Sequence, residues 1–105
     1  MSAHEERIGR LLGLARRAHG LTVGLRATLR ALQHRRLAVI IVADDASART
    51  VAELRGATGA TPVVVMGSMA QLGGWVGAAA VAVLGVRRGT LAAQILRLAS
   101  PGEAP

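Results

Sequence analysis

Apolar residues at helical spacing predict an amphipathic helix over about residues 4–18: Ile8, Leu11, Leu12, Ala15 and Ala18. Ser2 and Glu5 have the spacing of a capping box at its start, and Gly20 suits its end. A second amphipathic helix is predicted after Gly24, on the apolar positions Leu25, Leu29 and Leu32. Arginines at positions 26 and 30 lie one turn apart on another face of that helix.

Runs of β-branched residues predict strands that are covered on both faces. The first run occupies residues 37–43 and the second residues 62–66, where a proline is tolerated at the start of the strand. A further strand is predicted over residues 80–86. The pattern therefore supplies several short, buried strands for one sheet.

Three more helices are predicted between and after these strands. The third helix carries Val51 and Leu54 and ends near residues 56–59. A short helix over residues 68–76 begins with a serine cap at Ser68. The final helix ends before Pro101 and has three apolar positions: Leu91, Ile95 and Leu98.

Strands that alternate with helices predict an α/β sandwich around one small sheet. The length of 105 residues fits one domain, and no internal repeat is visible. We predict a single domain over residues 1–99 and a frayed tail over residues 100–105.

A charge-free stretch of 31 residues between Arg55 and Arg87 raises the alternative of a membrane span. The stretch is interrupted by glycines, and its apolar residues are concentrated in two blocks of strand length. A buried α/β core explains the glycine interruptions and the two apolar blocks better than a membrane helix does. Acidic residues and arginines also occupy the start in place of a secretory signal, so we expect a cytoplasmic protein.

Positive charge is concentrated in the first third of the chain. The net charge is +7, and all 13 basic residues are arginine. Residues 1–36 hold eight arginines against two glutamates, whereas residues 37–105 hold five arginines against four acids. A general bias towards arginine over lysine would not explain this crowding. The distribution predicts one localised cationic patch for a polyanionic partner.

The composition excludes several kinds of chemistry. Without cysteine there is no disulfide, no cysteine-built metal site and no thiol nucleophile, and without lysine there is no Schiff base. The three histidines lack metal-ligand spacing: His4, His19 and His34. Three glycines near residue 75 do not form a dinucleotide-binding fingerprint and fit turns or close packing instead: Gly73, Gly74 and Gly77. We therefore predict neither an enzyme nor a metal or cofactor site.

An acidic pair, Asp44 and Asp45, follows the first predicted strand. Paired carboxylates could hold magnesium or perform acid–base chemistry. Alternatively, one of them, or Ser47, accepts the free amides at the start of the third helix. No second cluster of ligands is visible, which favours the capping interpretation.

The aromatic content limits how the chain can bind nucleic acid. Trp75 is the only aromatic residue among Phe, Tyr and Trp, so base-stacking platforms of the RNA-recognition-motif or OB-fold type cannot be built. We expect Trp75 to lie in the core. RNA binding would then depend on charge, backbone amides and shape.

The order of these segments resembles a superfamily of ribosomal proteins that bind kink-turn RNA, whose members include the large-subunit protein "seven-Ae" and small bacterial relatives of the YlxQ type. The resemblance covers about residues 5–98. The resemblance rests on five parts of the chain. They are the opening helix over residues 8–18, Gly24 together with the helix end at residues 30–32, the strand and turn over residues 37–47, the segment 61–65, and residues 71–73 together with Gly77.

The resemblance implies a three-layer α/β/α sandwich with a small mixed four-stranded sheet. It also implies that RNA is bound by the start of the second helix and by the loop before the last strand, around residues 78–81. The carried-over contact residues are Gly24, Leu25, Arg26, Ala27, Arg30, Ala79, Ala80 and Val81. Glycine lets backbone approach backbone, the helix start offers amides to phosphate, and small apolar residues can pack against an unstacked base.

The sequence departs from the archaeal kink-turn binders at Arg26-Ala27, where those proteins carry Asn-Glu. Alanine cannot form a hydrogen bond with a base edge, and arginine only donates. We therefore predict a non-enzymatic, ribosomal-protein-like domain that binds structured RNA, with kink-turn or ribosomal RNA as candidates. The alternative is a protein-interaction or assembly module that keeps the fold without RNA specificity.

Overall fold

Helices and strands alternate along the chain in the computed structural model, which describes residues 3–99. The elements of this part are α1 (Ala3–Arg17), β1 (Leu21–Val23), α2 (Leu25–Gln33), β2 (Leu37–Val42), α3 (Ala48–Arg55), β3 (Val63–Val65), α4 (Met69–Val76), β4 (Val83–Arg87) and α5 (Thr90–Ala99). All five predicted helices are confirmed. Ser2 of the predicted capping box and the predicted tail at 100–105 lie outside the described residues.

The four strands form one mixed sheet in the order β1-β4-β2-β3. Strand β4 is antiparallel to β1 and to β2, whereas β2 and β3 are parallel. Consequently β1, β2 and β3 end where β4 begins, and we call this the Gly24 end of the sheet. The opposite end, where β2 starts and β4 stops, is called the Arg36 end.

Helices cover both faces of the sheet. One face packs against α1, α4 and α5, in a core that includes Ile8, Leu72, Leu84 and Ile95. The other face packs against α2 and α3, in a core that includes Ala31, Ile40, Leu54 and Val83. Neighbouring residues of a strand point to opposite faces, which is why a continuous apolar run such as β2 is buried at every position but Ala38. The three-layer α/β/α sandwich is confirmed.

Two strands differ from their predicted form. Strand β3 is an edge strand that pairs only with β2 among the described strands, so it is not fully buried. Its residue Val65 is 55% exposed. A run of valines looks the same in sequence whether one or two strands flank it. Strand β4 begins at Val83 and not at residue 80, because Val81 donates its N–H to the Met69 carbonyl, 3.0 Å away, within a loop.

Serine caps start two of the helices, as the sequence predicted for α4. The Ser68 hydroxyl accepts from the Gln71 N–H, and the Gln71 side chain accepts from the Ser68 N–H at 2.8 Å, which completes a capping box. Ser47 caps α3 by accepting from the Thr50 N–H at 3.1 Å. These bonds satisfy amides that a helix start otherwise leaves free.

Trp75 on α4 is partly buried and packs against the core beside α1, so it lies at the margin of the core and not within it as expected. Its indole lies against Gly9, and a Cβ at that position would collide with the ring. Glycine therefore permits the close approach of the two helices. No helix within residues 3–99 has the length and apolar character needed to cross a membrane.

Candidate nucleic-acid interface

Gly24 connects β1 to α2 in a backbone conformation that favours glycine. Its φ is 96° and its ψ is 163°, and a Cβ added there would meet nothing within 4 Å. The requirement for glycine is therefore conformational and not one of space. The Gly24 N–H donates to the Val83 carbonyl at 2.8 Å, which holds the start of α2 beside the start of β4.

The first turn of α2 presents backbone amides without a side-chain cap. Gly24 is the N-cap residue and has no side chain that could accept a hydrogen bond. The first helical bond runs from the Thr28 N–H to the Gly24 carbonyl at 3.1 Å. The amides of residues 25–27 precede that bond and lie at the positive end of the helix dipole. This is a favourable environment for a phosphate group.

Arg26 adds an exposed positive charge to the same turn. Its side chain is 80% exposed, and its Nη1 lies 3.3 Å from the Glu53 Oε2 on α3. An exposed ion pair of this kind contributes little stability and is easily exchanged for another anion. The guanidinium also has five N–H donors, so it can contact phosphate while it remains near Glu53.

A buried hydroxyl pair fixes α2 against the sheet. Thr22 on β1 and Thr28 on α2 share a hydrogen bond of 2.9 Å between their Oγ1 atoms, and Thr28 is fully buried. The Thr22 Oγ1 also lies 3.5 Å from the Gly85 carbonyl oxygen, to which it can donate, so both buried hydroxyl groups have partners. The sequence analysis missed this pair, since only the fold shows that both threonines face the same interior.

The loop at residues 77–82 is the second predicted contact segment. Ala79 and Ala80 are exposed at its tip, whereas Val81 is buried. The Ala43 N–H donates to the Ala82 carbonyl at 2.9 Å, which fixes the end of the loop to β2. The side chain of Val81 thus points into the core, so this residue anchors the loop and cannot present its side chain to RNA.

Gly73 on α4 packs directly against the backbone of this loop. A Cβ on Gly73 would lie 2.7 Å from the Ala78 carbonyl oxygen and 2.8 Å from that of Ala79. Both atoms belong to the backbone, which cannot move aside as a flexible side chain can. The close packing predicted for Gly73 is confirmed. This packing determines how closely the loop approaches α4.

The structure brings the two predicted segments together at the Gly24 end. The Gly24–Val83 hydrogen bond joins the start of α2 to the strand that follows the loop. The exposed residues on the two sides are Arg26, Ala79 and Ala80. One ligand can therefore contact the helix start and the loop at the same time.

The acidic pair lies at the same end, after β2. Asp45 accepts from the Met69 N–H at 2.8 Å through its Oδ1, so it caps α4, and Ser47 is the residue that caps α3. The Asp44 N–H donates to the Gly67 carbonyl at 2.7 Å. Within residues 3–99, no three histidine, aspartate or glutamate side chains gather as metal ligands. The capping interpretation is thus confirmed for Ser47, whereas neither aspartate caps α3 and Asp45 instead binds the first amide of α4.

The prediction that the arginines of residues 1–36 form one patch is wrong. Four of them are on α1, which packs on the opposite face of the sheet from α2. Arg26 is at the Gly24 end, whereas Arg30 lines a depression of about 260 Å³ with Arg36 and Arg87. A charge count along the chain cannot anticipate this division, because it depends on which face each helix covers.

Fold and site together define an α/β/α protein of ribosomal type. The chain belongs to the ribosomal protein L7Ae/L30e/S12e/Gadd45 family, whose model matches residues 6–94. The family resemblance predicted from the sequence is thereby confirmed. Members of this family are RNA-binding, non-enzymatic proteins, which agrees with the prediction that the chain is not an enzyme.

Two solved structures are similar to this chain. A protein of unknown function from Bacillus halodurans has 30% sequence identity and a TM-score of 0.81, with 88% of this chain and 95% of that chain covered. A 15.5kD RNA binding protein from Giardia lamblia has 18% identity and a TM-score of 0.81, with coverages of 94% and 89%. At that identity the second comparison shows the fold. No curated protein matches this chain.

Proposed function

We propose that this protein is a cytoplasmic, ribosomal-type RNA-binding protein that contacts structured RNA with the start of α2 and the loop at 77–82. Residues 1–99 would form the single RNA-binding domain. The observation that carries the proposal is the hydrogen bond between Gly24 and Val83, which joins the two contact segments at one end of the sheet. Family membership supports the class of ligand.

Each segment has its own part in this proposal. The uncapped amides of Leu25, Arg26 and Ala27 receive a phosphate, and the Arg26 guanidinium adds charge. Arg30, one turn further along α2, contacts the next part of the backbone. Ala79 and Ala80 pack against an unstacked base, because their small exposed side chains leave room for a flat ring.

We propose a kink-turn or another bent RNA as the ligand, bound mainly through its backbone and shape. A bent backbone can reach both segments, whereas a straight duplex reaches one of them. Ala27 has no hydrogen-bonding side chain and Arg26 only donates, so neither reads base edges in the way that an asparagine–glutamate pair would. The preference for a kink-turn RNA over a duplex is accordingly moderate.

The test is a binding titration of a kink-turn RNA at several salt concentrations, with Arg26→Ala beside wild type. Removal of one phosphate contact should weaken binding and lower the slope of log affinity against log salt by about one. Arg10→Ala is the matched control, since Arg10 is an exposed helical arginine on the opposite layer.

An equal loss in the two variants would contradict the proposed site. A protein that dimerises with concentration and shifts no RNA in low salt would instead support the assembly module considered above.

A further inference from the structure

Five exposed arginines extend from α2 to the Arg36 end of the sheet, and Arg30 among them lies one turn along α2 from Arg26. They come from α2, from the turn between α2 and β2, and from the end of β4 with the turn that follows it. We call them the distal arginine surface: Arg30, Arg35, Arg36, Arg87 and Arg88.

Two hydrogen bonds from Arg88, one from its main chain and one from its side chain, hold these two turns together. The Arg88 N–H donates to the Arg36 carbonyl at 3.3 Å, and the Arg88 Nε donates to the Arg35 carbonyl at 3.4 Å. Because β4 is antiparallel to β2, the end of one strand lies beside the start of the other. Arginines that are fifty residues apart in sequence are thus fixed as neighbours.

The surface is concave and positively charged. Arg30, Arg36 and Arg87 line the depression of about 260 Å³ together with His34. Arg35 and Arg88 line a second depression of about 610 Å³. In the part of the chain that the structure describes, no acidic residue lines either depression. Such a surface attracts anionic groups such as phosphate and repels basic partners.

Arg35 has an unfavourable backbone conformation for an arginine. Its φ is 54°, in the left-handed region, directly after the C-cap residue His34 of α2. Glycine is the usual residue at this position because it has no Cβ penalty there. Non-glycine residues in such a conformation cluster at functional sites, so Arg35 is a candidate for a functional side chain.

From these observations we infer that the distal arginine surface binds the phosphate backbone of a duplex RNA arm that extends from the segment held at the Gly24 end. The inference rests on the proposed function for the identity of the polyanion. A strand of five to six residues spans about 17–20 Å, so one protein would hold two stretches of the same RNA at opposite ends of its sheet. The distal contacts are independent of base sequence, since guanidinium groups meet phosphates there.

The experiment compares two RNAs that share one bent internal loop. In the short RNA the arms only close the loop, and in the long RNA one arm is extended by a full turn of duplex. The test variant is Arg36→Gln/Arg87→Gln, which removes two charges and keeps much of each side-chain stem. The control is Arg10→Gln/Arg17→Gln, which removes two exposed arginines from α1.

For the long RNA, the test variant should lose roughly tenfold in affinity at low salt, with a salt slope lower by about two. Its affinity for the short RNA should match that of wild type, and the control should bind both RNAs as wild type does. If the test variant and the control bind the long RNA equally, the distal surface is rejected. If the distal surface is rejected but Arg26→Ala still weakens binding of the short RNA, the proposed function stands without the distal surface.

A second variant separates binding from folding. Arg35→Gly relieves the left-handed backbone, so it should raise the urea midpoint of unfolding while it weakens binding of the long RNA. His19→Gly is its control, because His19 has a φ of 61° after the end of α1 and carries no guanidinium. It should raise the midpoint and leave RNA binding unchanged. Unchanged binding of the long RNA by Arg35→Gly would contradict a role for Arg35.

Discussion

The Arg26 guanidinium lies 3.3 Å from the Glu53 carboxylate, so the charge at the start of α2 is shared with an acid on α3. Glu53 competes with an incoming phosphate for the same cation. We therefore predict that Glu53→Gln binds RNA about threefold more tightly, because an exposed pair of this kind is worth less than about 1 kcal/mol. A gel-shift titration at low salt measures the difference.

The control for this prediction is Glu6→Gln, which changes the net charge by the same amount on the exposed surface of α1. An equal gain in both variants would show that total charge, and not release of Arg26, is responsible.

The buried pair of Thr22 and Thr28 gives a prediction about stability. Thr28→Val leaves the Thr22 hydroxyl without its partner at 2.9 Å, and this should lower the free energy of unfolding by about 1–3 kcal/mol. The double variant Thr22→Val/Thr28→Val removes both polar groups and should recover much of that loss. Urea denaturation of wild type, of Thr22→Val and Thr28→Val alone, and of the double variant measures all four proteins of the cycle. Strictly additive losses would show that the two hydroxyl groups do not interact.

Gly73 and Gly74 are neighbours on α4 with opposite expected responses to alanine. At Gly73 a Cβ would press on the carbonyls of Ala78 and Ala79, so Gly73→Ala should destabilise the fold by about 1–3 kcal/mol and displace the loop at 77–82. RNA affinity should fall with it. At Gly74 a Cβ meets open space within a helix, so Gly74→Ala should stabilise the fold by about 0.5–1 kcal/mol.

Thermal unfolding and RNA titration of the two alanine variants test this contrast directly. If folded Gly73→Ala binds RNA with the affinity of wild type, the loop is not part of the interface.

Gly24 is predicted to matter for binding as well as for folding. Its φ of 96° is costly for alanine, so Gly24→Ala should lose about 1–3 kcal/mol of stability and weaken RNA binding as the bond to Val83 is distorted. Gly59→Ala is the control, because Gly59 also has a positive φ, of 54°, but lies in the loop between α3 and β3. It should lose stability and keep its affinity for the short RNA, which does not reach the depression that Gly59 lines. A matching loss of affinity in the control would mean that instability alone explains the effect.

The helices and the sandwich could be predicted because their signals are local. Periodic apolar positions define the helices, and the Ser68–Gln71 capping box marks one helix start within four residues. The alternation of element types then restricts the architecture to helices on both faces of a sheet. That β3 is an edge strand could not be predicted, because this depends on the strand order and not on the valine run itself.

The candidate site could be predicted only in part, for a related reason. Gly24 stands out in sequence because it precedes a helical pattern, and the family resemblance indicated the loop at 77–82. The pairing of Arg26 with Glu53 depends on the packing of α2 beside α3. The approach of Arg88 to Arg36 depends on the antiparallel alignment of β4 with β2. Contacts between distant segments of this kind leave no periodic trace in the sequence.

The most direct test of the RNA-binding proposal is a low-salt titration of the wild-type protein against three RNAs: a kink-turn, the same RNA with its sheared pairs disrupted, and a plain duplex. Contact with both the helix start and the loop predicts that the kink-turn binds most tightly and that all three lose affinity steeply as salt rises. Failure of the protein to bind any of the three RNAs at low salt would contradict the account.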